Sequence, residues 1–354
     1  LGDWEPSTKK LPRGLSYIAK EALKRKVDFG IWLEPEMVNP QSELYQKHPD
    51  WIITQPKRTP ILGRHQEILD LTRPEVQAFE WQVIDKTLRP NPDISYVKWD
   101  CNRYITQPGS GYLQPAEQSH LWIDYNWALY RLMERFSKEF PNVMAMLCAG
   151  GSGRVDYGAL PYFHSFWPSD NTDPLGRIKI QWGFSHFFPA STISAHVTRM
   201  GKRHLKLAID VALSGAFGID LALDKATAEE RVQIADAVKL YKASIRPLVM
   251  QGELYRLVSP YEHPMASLSY VSTDKNDAVV YLYQIQDGSV PQVILGGLDA
   301  RKNYRVEEVG LPKGSTSRFP GHGKIFSGAE LMSTGIANPL NAQFESAILL
   351  LKTQ

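Results

Sequence analysis

Apolar and polar positions along the first 250 residues follow a pattern that predicts strands alternating with amphipathic helices. Short, mostly apolar runs are typical of buried strands, and apolar positions three and four residues apart are typical of helices packed on a core. The predicted strands cover residues 27–32, 94–99, 142–147, 163–167, 191–197 and 216–221. The predicted helices cover residues 15–26, 75–88, 120–140, 174–182, 205–214 and 226–245. Six strand-then-helix units in succession predict a parallel sheet covered by helices.

The pattern changes after about residue 249. Shorter strand-like runs separated by Gly, Pro, Asn and Asp turns cover residues 267–271, 278–285, 292–295, 304–309 and 344–351. Short strands at this spacing predict an antiparallel β-sandwich domain at residues 250–354. Residues 1–249 are predicted to be a (β/α)8 TIM-type barrel lacking its first strands, since only six of eight units are visible. The start at Leu1-Gly2-Asp3-Trp4 leads us to expect further sequence upstream.

Composition narrows the class of protein. Forty basic residues against 38 acidic ones give a net charge of +2, and no basic block points to nucleic acid. No apolar run approaches the roughly 18 residues needed to span a membrane. The two cysteines do not suggest a disulfide framework, and neither His-x-His, His-Glu-x-x-His nor a nucleotide fingerprint occurs. We therefore expect no metal and no cofactor. Nine Trp and sixteen Tyr suit a sugar-binding surface, or ordinary core and surface positions.

Chemically active side chains follow the predicted strands. Lys98 and Asp100 come at the end of one strand, and Asp170 follows another. In a barrel this is the catalytic face, and two carboxylates on different strand ends are the natural nucleophile and general acid for glycoside hydrolysis. Lys98 lies two residues before Asp100, so its ammonium could hold Asp100 ionised. The alternative is a purely structural Lys98–Asp100 ion pair.

Other polar positions have structural interpretations beside functional ones. Asp173 before Pro174 reads as a helix N-cap, which leaves Asp170 unexplained by capping. The loop at residues 148–153 could cradle a phosphate, although it lacks the usual Gly-Lys-Ser/Thr ending. Glu34 and Glu36, on either side of Pro35, belong to the site or to a solvated loop.

Five segments together resemble glycoside hydrolase family 36, the family of the α-galactosidases. They are residues 29–38 (FGIWLEPEMV), 48–51 (HPDW), 98–103 (KWDCNR), 148–156 (CAGGSGRVD) and 169–173 (SDNTD). The resemblance runs in order along nearly the whole chain.

The resemblance implies a retaining hydrolase that removes terminal α-linked galactose. Asp100 corresponds to the nucleophile of the family and Asp170 to its acid/base, and a retaining mechanism implies carboxyls roughly 5 to 5.5 Å apart. The side chains and loop expected to contact the galactosyl unit are Trp32, Arg64, Lys98, Cys148 and Gly151. Arg64 is followed by His65 where the family has Asn.

Two family features are absent from this sequence, namely a β-sandwich domain before the barrel and an Asp-Asp-Gly-Trp motif that grips galactose hydroxyls. If 354 residues are the whole molecule, we expect weak activity or none. The alternatives are an α-N-acetylgalactosaminidase, with residues 148–153 deciding between the sugars, and a non-catalytic carbohydrate-binding fragment. The resemblance also implies a galactosyl oligosaccharide or glycan partner and a homo-oligomer, a tetramer in the family. Bacterial cytoplasm and periplasm are both compatible with the sequence.

Overall fold

The computed structural model describes residues 1–354, and the chain divides into two units, Leu1–Trp167 and Pro168–Gln354. The strands of the first unit are β1 (Phe29–Leu33), β2 (Met37–Val38), β3 (Glu67–Ile68), β4 (Ile94–Trp99), β5 (Met144–Leu147) and β6 (Ser165–Phe166). Its helices are α1 (Gly14–Lys24), α2 (Glu43–Lys47), α3 (Pro74–Leu88) and α4 (Leu121–Glu139). Short 3-10 turns cover Pro49–Trp51, Pro115–His120 and Leu160–Tyr162.

The first unit is built on a parallel sheet in the order β1-β4-β5-β6, with β2 and β3 forming a separate antiparallel pair. The pairing places Trp32 beside Lys98 and Lys98 beside Met146. Because the strands are parallel and in this register, their carboxyl ends lie at one edge of the sheet. The predicted strand-end residues 32, 98 and 148 therefore belong to that edge.

Helix α4 shows why the sequence pattern predicted a helix. Its buried residues are spaced three and four apart: Leu121, Tyr125, Ala128, Leu129, Leu132, Met133 and Phe136. Such spacing places them on one face, while Trp122 and Trp127 lie on the exposed face. Helix α3 begins with Pro74, whose fixed φ suits a first helical position.

The second unit joins a parallel strand pair to a larger antiparallel sheet. Its strands are β7 (Ser194–Val197), β8 (Ala216–Ile219), β9 (Glu253–Val258), β10 (Met265–Val271), β11 (Asp277–Gln284), β12 (Gln292–Val293), β13 (Asn303–Val309), β14 (Ile325–Ser327), β15 (Ile336–Ala337) and β16 (Ser346–Thr353). Its helices are α5 (Pro174–Phe184), α6 (Leu205–Ala212), α7 (Ala228–Leu240), α8 (Arg246–Gln251) and α9 (Gly328–Ser333). A π-helical segment, Tyr241–Ile245, joins α7 to α8, and 3-10 turns cover Ala190–Thr192, Met200–Lys202 and Leu223–Lys225.

The main sheet, in the order β14-β13-β16-β11-β10-β9, is buried on both faces. Alternate residues of β11 serve the two cores: Val279 and Tyr281 pack with helices α5 to α8, and Val280 and Leu282 pack with the small β12–β15 sheet. This two-residue alternation is what a pleated strand imposes. It explains why the strands read as almost continuous apolar runs.

Three tyrosines fasten this sheet to the end of α6. The hydroxyls of Tyr270, Tyr281 and Tyr283 donate to the carbonyl oxygens of residues 214, 213 and 210 at 2.8, 2.8 and 3.1 Å. The last carbonyls of a helix have no partner within the helix, so these bonds satisfy groups that burial would otherwise leave unpaired.

The strand–helix alternation predicted for residues 1–249 and the antiparallel strands predicted beyond it are both present. The pattern missed short elements, namely β2, β3, β9, β14, β15, α2 and α9. They are too short, or too irregular in polarity, to show a period. The predicted domain boundary near residue 249 stays a prediction. No helix is both long and apolar enough to cross a bilayer.

Candidate active site

Asp100 stands directly after β4 at the carboxyl edge of the first sheet. Its main-chain N–H donates to the carbonyl of Leu33 at 2.8 Å, so the residue continues the pairing with β1. Val97 and Trp99 are 1% exposed and anchor the strand in the core, and Asp100 itself is 4% exposed. A carboxylate this far from solvent needs hydrogen bonds to remain ionised.

Those bonds come from three directions. Trp32 Nε1, from β1, donates to Asp100 Oδ2 at 2.9 Å, and the main-chain N–H of Cys101 donates to Oδ1 at 2.9 Å. The side chains of Asn102 and Cys148 also bond the carboxylate. Burial alone would raise the pKa of Asp100, but these hydrogen bonds outweigh it and lower the pKa below its ordinary value. Asp100 is therefore a charged carboxylate at neutral pH.

Lys98 is close to this group without being paired to it. The ion pairs of residues 1–354 do not include Lys98 with Asp100, so the structural ion-pair interpretation is wrong. Lys98 Nζ lies 5.3 Å from the centre of the Trp167 ring, a cation–π contact. The ammonium is thus directed along the strand edge, and hydrogen bonds are the main cause of the lowered pKa of Asp100.

Cys148 and the glycines after it form the next wall. Cys148 follows β5, is 1% exposed, and its N–H donates to the carbonyl of Trp99 at 2.8 Å. Burial, together with the negative charge of Asp100, raises the pKa of the Cys148 thiol to about 12, so the thiol keeps its proton and donates it to Asp100. Gly150 and Gly151 have φ of 58° and 98°, a region that side chains other than glycine rarely adopt. No phosphate-binding feature is needed to explain these glycines.

Arg64 reaches the site through Asn102. Arg64 Nη1 donates to Asn102 Oδ1 at 3.1 Å, and its own side chain is exposed. Arg64 has a φ of 54° at the tight turn closed by Gly63 and Gln66. The same asparagine bonds Asp100, so it links the proposed nucleophile with the predicted sugar-contacting arginine.

Glu34 and Glu36 are buried, which shows that the solvated-loop interpretation of this segment is wrong. They are 1% and 0% exposed. Glu36 accepts hydrogen bonds from Tyr125 at 2.6 Å and from Trp99 Nε1 at 3.2 Å, and it pairs with Arg154. Glu34 instead accepts from the main-chain N–H of Asn102. Two carboxylates of one motif therefore serve different parts of the site.

Sequence reasoning underrated this motif because polarity suggested solvent. A signal was present: each glutamate follows a buried strand within three residues, at the edge where Asp100 also lies. In this unit the structure links Trp32, Asp100, Cys148, Asn102 and Arg64 through hydrogen bonds, with Lys98 and Gly151 on the neighbouring strand ends.

Asp170 belongs to the second unit, where it lies on an exposed loop between β6 and α5. The loop is fastened on both sides: the N–H of Asn171 donates to Ser169 Oγ at 3.0 Å, and Arg177 Nη1 donates to the Ser169 carbonyl at 3.2 Å. Arg177 is 2% exposed, and burial lowers its pKa to about 10. A buried arginine therefore holds the main chain next to Asp170.

Asp173 occupies the N-cap position of α5 ahead of Pro174, as predicted. Its side chain makes no capping hydrogen bond, however, and accepts from Arg203 Nε at 3.4 Å instead. No group of three His, Cys, Asp or Glu side chains in residues 1–354 is arranged to hold a metal ion.

Comparison with known proteins follows from this geometry. The family model described as Melibiase matches residues 1–252, and that of the glycosyl hydrolase family 36 C-terminal domain matches residues 265–351. The chain belongs to glycoside hydrolase family 36, the melibiase family.

This family 36 chain has curated relatives in bacteria and fungi. It is 39% identical over 348 residues to alpha-galactosidase AgaA of Geobacillus stearothermophilus, covering 96% of this chain and 46% of the relative. It is 34% identical over 374 residues to alpha-galactosidase 2 of Hypocrea jecorina, covering 100% and 46%. The chain thus spans about half the length of the curated relatives it matches.

Solved structures of family 36 resemble the chain throughout. That of the α-galactosidase AgaB from Geobacillus stearothermophilus has a TM-score of 0.92 at 38% identity and covers 100% of this chain and 48% of that one. An AgaA double variant in complex with raffinose has a TM-score of 0.91 at 37% identity, with the same coverage. The likeness confirms the predicted fold class, TIM-type barrel strands followed by a C-terminal antiparallel β-domain.

Proposed function

We propose that this protein is a retaining α-galactosidase that removes terminal α-linked galactose from raffinose-type oligosaccharides or galactosyl glycans. The observation that carries the proposal is Asp100: a buried carboxylate at a strand end, kept ionised by hydrogen bonds from Trp32, Asn102, Cys148 and the Cys101 main chain. A nucleophile in double displacement has to be a charged carboxylate with limited hydration. Asp100 meets both requirements.

Asp100 is the nucleophile in this proposal and Asp170 the acid/base. In the first step a carboxylate oxygen of Asp100 bonds to the anomeric carbon while Asp170 protonates the leaving oxygen. In the second step Asp170 takes a proton from water, the water oxygen bonds to the anomeric carbon, and the ester bond to Asp100 breaks. Two inversions release galactose with its configuration retained. No metal or redox group takes part.

The remaining predicted residues would bind the sugar. Lys98 and Arg64 supply cationic donors for hydroxyl groups, and Trp32, 40% exposed, offers a ring face beside the carboxylate that it bonds. Cys148 and Gly151 form the wall next to Asp100. These assignments rest on the family resemblance and on the shared strand edge.

The solved relatives support this substrate class. AgaA variants have been crystallised with raffinose, stachyose and 1-deoxygalactonojirimycin. The raffinose complex carries an aspartate-to-asparagine replacement and the stachyose complex an aspartate-to-alanine replacement, at positions 70 residues apart. Asp100 and Asp170 are also 70 residues apart. This agreement supports the choice of these two aspartates.

Turnover of nitrophenyl α-galactoside by the full-length gene product tests the proposal. Asp100→Ala and Asp170→Ala should each nearly abolish hydrolysis of raffinose, and a near-normal rate in either variant would refute the role assigned to that residue. Azide separates the roles: with Asp170→Ala it should give the α-azide through the intact nucleophile, whereas Asp100→Ala should give only the inverted β-azide.

Two further outcomes would replace the proposal. Faster turnover of nitrophenyl α-N-acetylgalactosaminide than of the galactoside would assign the other sugar, and binding of galactosides without turnover would indicate a carbohydrate-binding protein. A homo-oligomer, a tetramer by family resemblance, belongs to the same proposal. Sedimentation equilibrium measures it directly.

A further inference from the structure

We propose that Glu34 is a positioning residue of the active site, acting through Asn102 to set both Asp100 and Arg64. The inference rests on the proposed function, because Asp100 and Arg64 matter only if the site handles a galactoside. Glu34 belongs to none of the roles assigned above and does not bond Asp100 directly.

The contacts of Glu34 converge on one residue. Glu34 directly follows β1 and is 1% exposed, and its Oε1 accepts from the main-chain N–H of Asn102 at 2.5 Å. The Asn102 side chain bonds Glu34 as well. A buried carboxyl is costly unless it is hydrogen-bonded, so its bonds to Asn102 hold it in place and hold Asn102 in turn.

Asn102 passes this constraint to the two functional side chains. Its side chain bonds the Asp100 carboxylate, and its Oδ1 accepts from Arg64 Nη1 at 3.1 Å. An asparagine beyond the end of a strand has no ladder to fix it. The bond from Glu34 at the neighbouring strand end supplies that fixation, which makes Glu34 the base of a four-residue chain.

Electrostatics add a second effect. Burial, followed by the negative charge of Asp100 on β4's carboxyl end, raises the pKa of Glu34 to about 7, while bonds from Asn102 and the cation of Arg64 oppose the rise. Glu34 thus changes charge near neutral pH. An ionised Glu34 bonds Asn102 more strongly and favours the positive charge that develops on the sugar in the transition state. The rate of attack by Asp100 should therefore rise as pH increases through about 7.

The attack can be measured apart from acid catalysis with 5-fluoro-α-galactosyl fluoride. In this reaction the bond from Asp100 oxygen to the anomeric carbon forms, the carbon–fluorine bond breaks, and fluoride leaves with the electron pair. Fluoride needs little protonation, so the rate reports Asp100 rather than Asp170. Labelling is followed by intact mass, with the labelled residue found by peptide mapping, in the wild-type protein and its variants from pH 5 to 9.

Glu34→Ala removes the acceptor and should lower the labelling rate constant about 100-fold, the typical cost of a misplaced reacting group. It should also raise KM for melibiose, because Arg64 loses its support. Glu34→Gln keeps an acceptor for the Asn102 N–H, so its rate at pH 6 should stay within about tenfold of wild type. Its rate should not rise near pH 7. Glu80→Gln is the matched control, since Glu80 is also a buried carboxyl with a raised pKa but makes no hydrogen bond.

A Glu34→Ala variant that labels and binds melibiose like wild type would overturn the inference while leaving the proposed function standing. If Glu34→Ala does not fold, the pH profile of Glu34→Gln decides, and a persisting rise through pH 7 overturns the inference. Wild-type protein that is not labelled at Asp100 overturns the proposed function and the inference with it. Changes that appear equally in Glu80→Gln would show a general effect of buried carboxyls, and would also overturn the inference.

Discussion

Replacing Trp32 by phenylalanine removes one hydrogen bond from Asp100 and leaves an aromatic ring in place. The bond lost is the 2.9 Å contact from indole Nε1 to Oδ2. A hydrogen bond to a charged group contributes about 1.5–3 kcal/mol, and one pKa unit corresponds to about 1.4 kcal/mol. Because the bond favours the charged carboxylate, its loss should raise the pKa of Asp100 by about 1–2 units.

The assay is the pH dependence of kcat/KM for nitrophenyl α-galactoside. A nucleophile is lost as pH falls through its pKa in the free enzyme, so the acidic limb of the Trp32→Phe profile should lie about 1–2 pH units above that of wild type. Circular dichroism at each pH separates this shift from acid unfolding.

Trp4→Phe is the matched control for this substitution. The Trp4 ring lies 5.8 Å from that of Trp32, and its Nε1 is buried without a hydrogen-bond partner. The acidic limb should not move in this variant. An unmoved limb in Trp32→Phe, or an equal shift in both variants, would refute the reasoning that the indole bond keeps Asp100 ionised.

Three further predictions concern buried groups. Burial raises the pKa of both cysteine thiols to about 12, so iodoacetamide at pH 8 should leave the folded protein unlabelled and modify two thiols after unfolding; rapid labelling of the native protein would contradict this. Burial and a neighbouring carboxylate raise the pKa of Glu80 well above its ordinary value, so the folded state holds a proton that the unfolded chain releases. Stability should then fall as pH rises above about 4.5, by up to about 1.4 kcal/mol per unit, and Glu80→Gln should remove that slope in calorimetry at pH 5 and 8. Tyr281→Phe breaks the 2.8 Å bond to the Leu213 carbonyl and should cost about 1–3 kcal/mol in urea unfolding, whereas Tyr255→Phe, whose hydroxyl bonds only an exposed glutamate, should cost less than about 1 kcal/mol.

The strand ends were accessible to sequence reasoning because a buried strand and its polar successor are contiguous in the chain. The strand predicted at residues 94–99 is β4, Ile94–Trp99, and Asp100 follows it. At β1 the prediction began two residues early, since Val27 is apolar yet 57% exposed. An exposed apolar residue beside a strand cannot be distinguished from a buried one by pattern alone.

The partners of Asp100 were harder to predict. Lys98, two residues away, was expected to keep Asp100 charged, but the bond comes from Trp32, 68 residues earlier in the chain. Glu36 likewise pairs with Arg154, 118 residues later. Such pairs depend on which strands are neighbours and in what register, and a single sequence does not encode that as a local period.

The residue pattern alone determined that this chain contains parallel strand–helix units, a β-rich end, and carboxylates at strand ends suited to glycoside chemistry. Local periodicity and strand-end polarity are properties of contiguous residues, so they survive without coordinates. Folding decided the state of each carboxylate: Asp100 is held ionised by donors from neighbouring strands, and Glu34 and Glu36 are buried rather than solvated. The physical reason is that the charge of a buried acid depends on solvent exclusion and on donors distant in sequence.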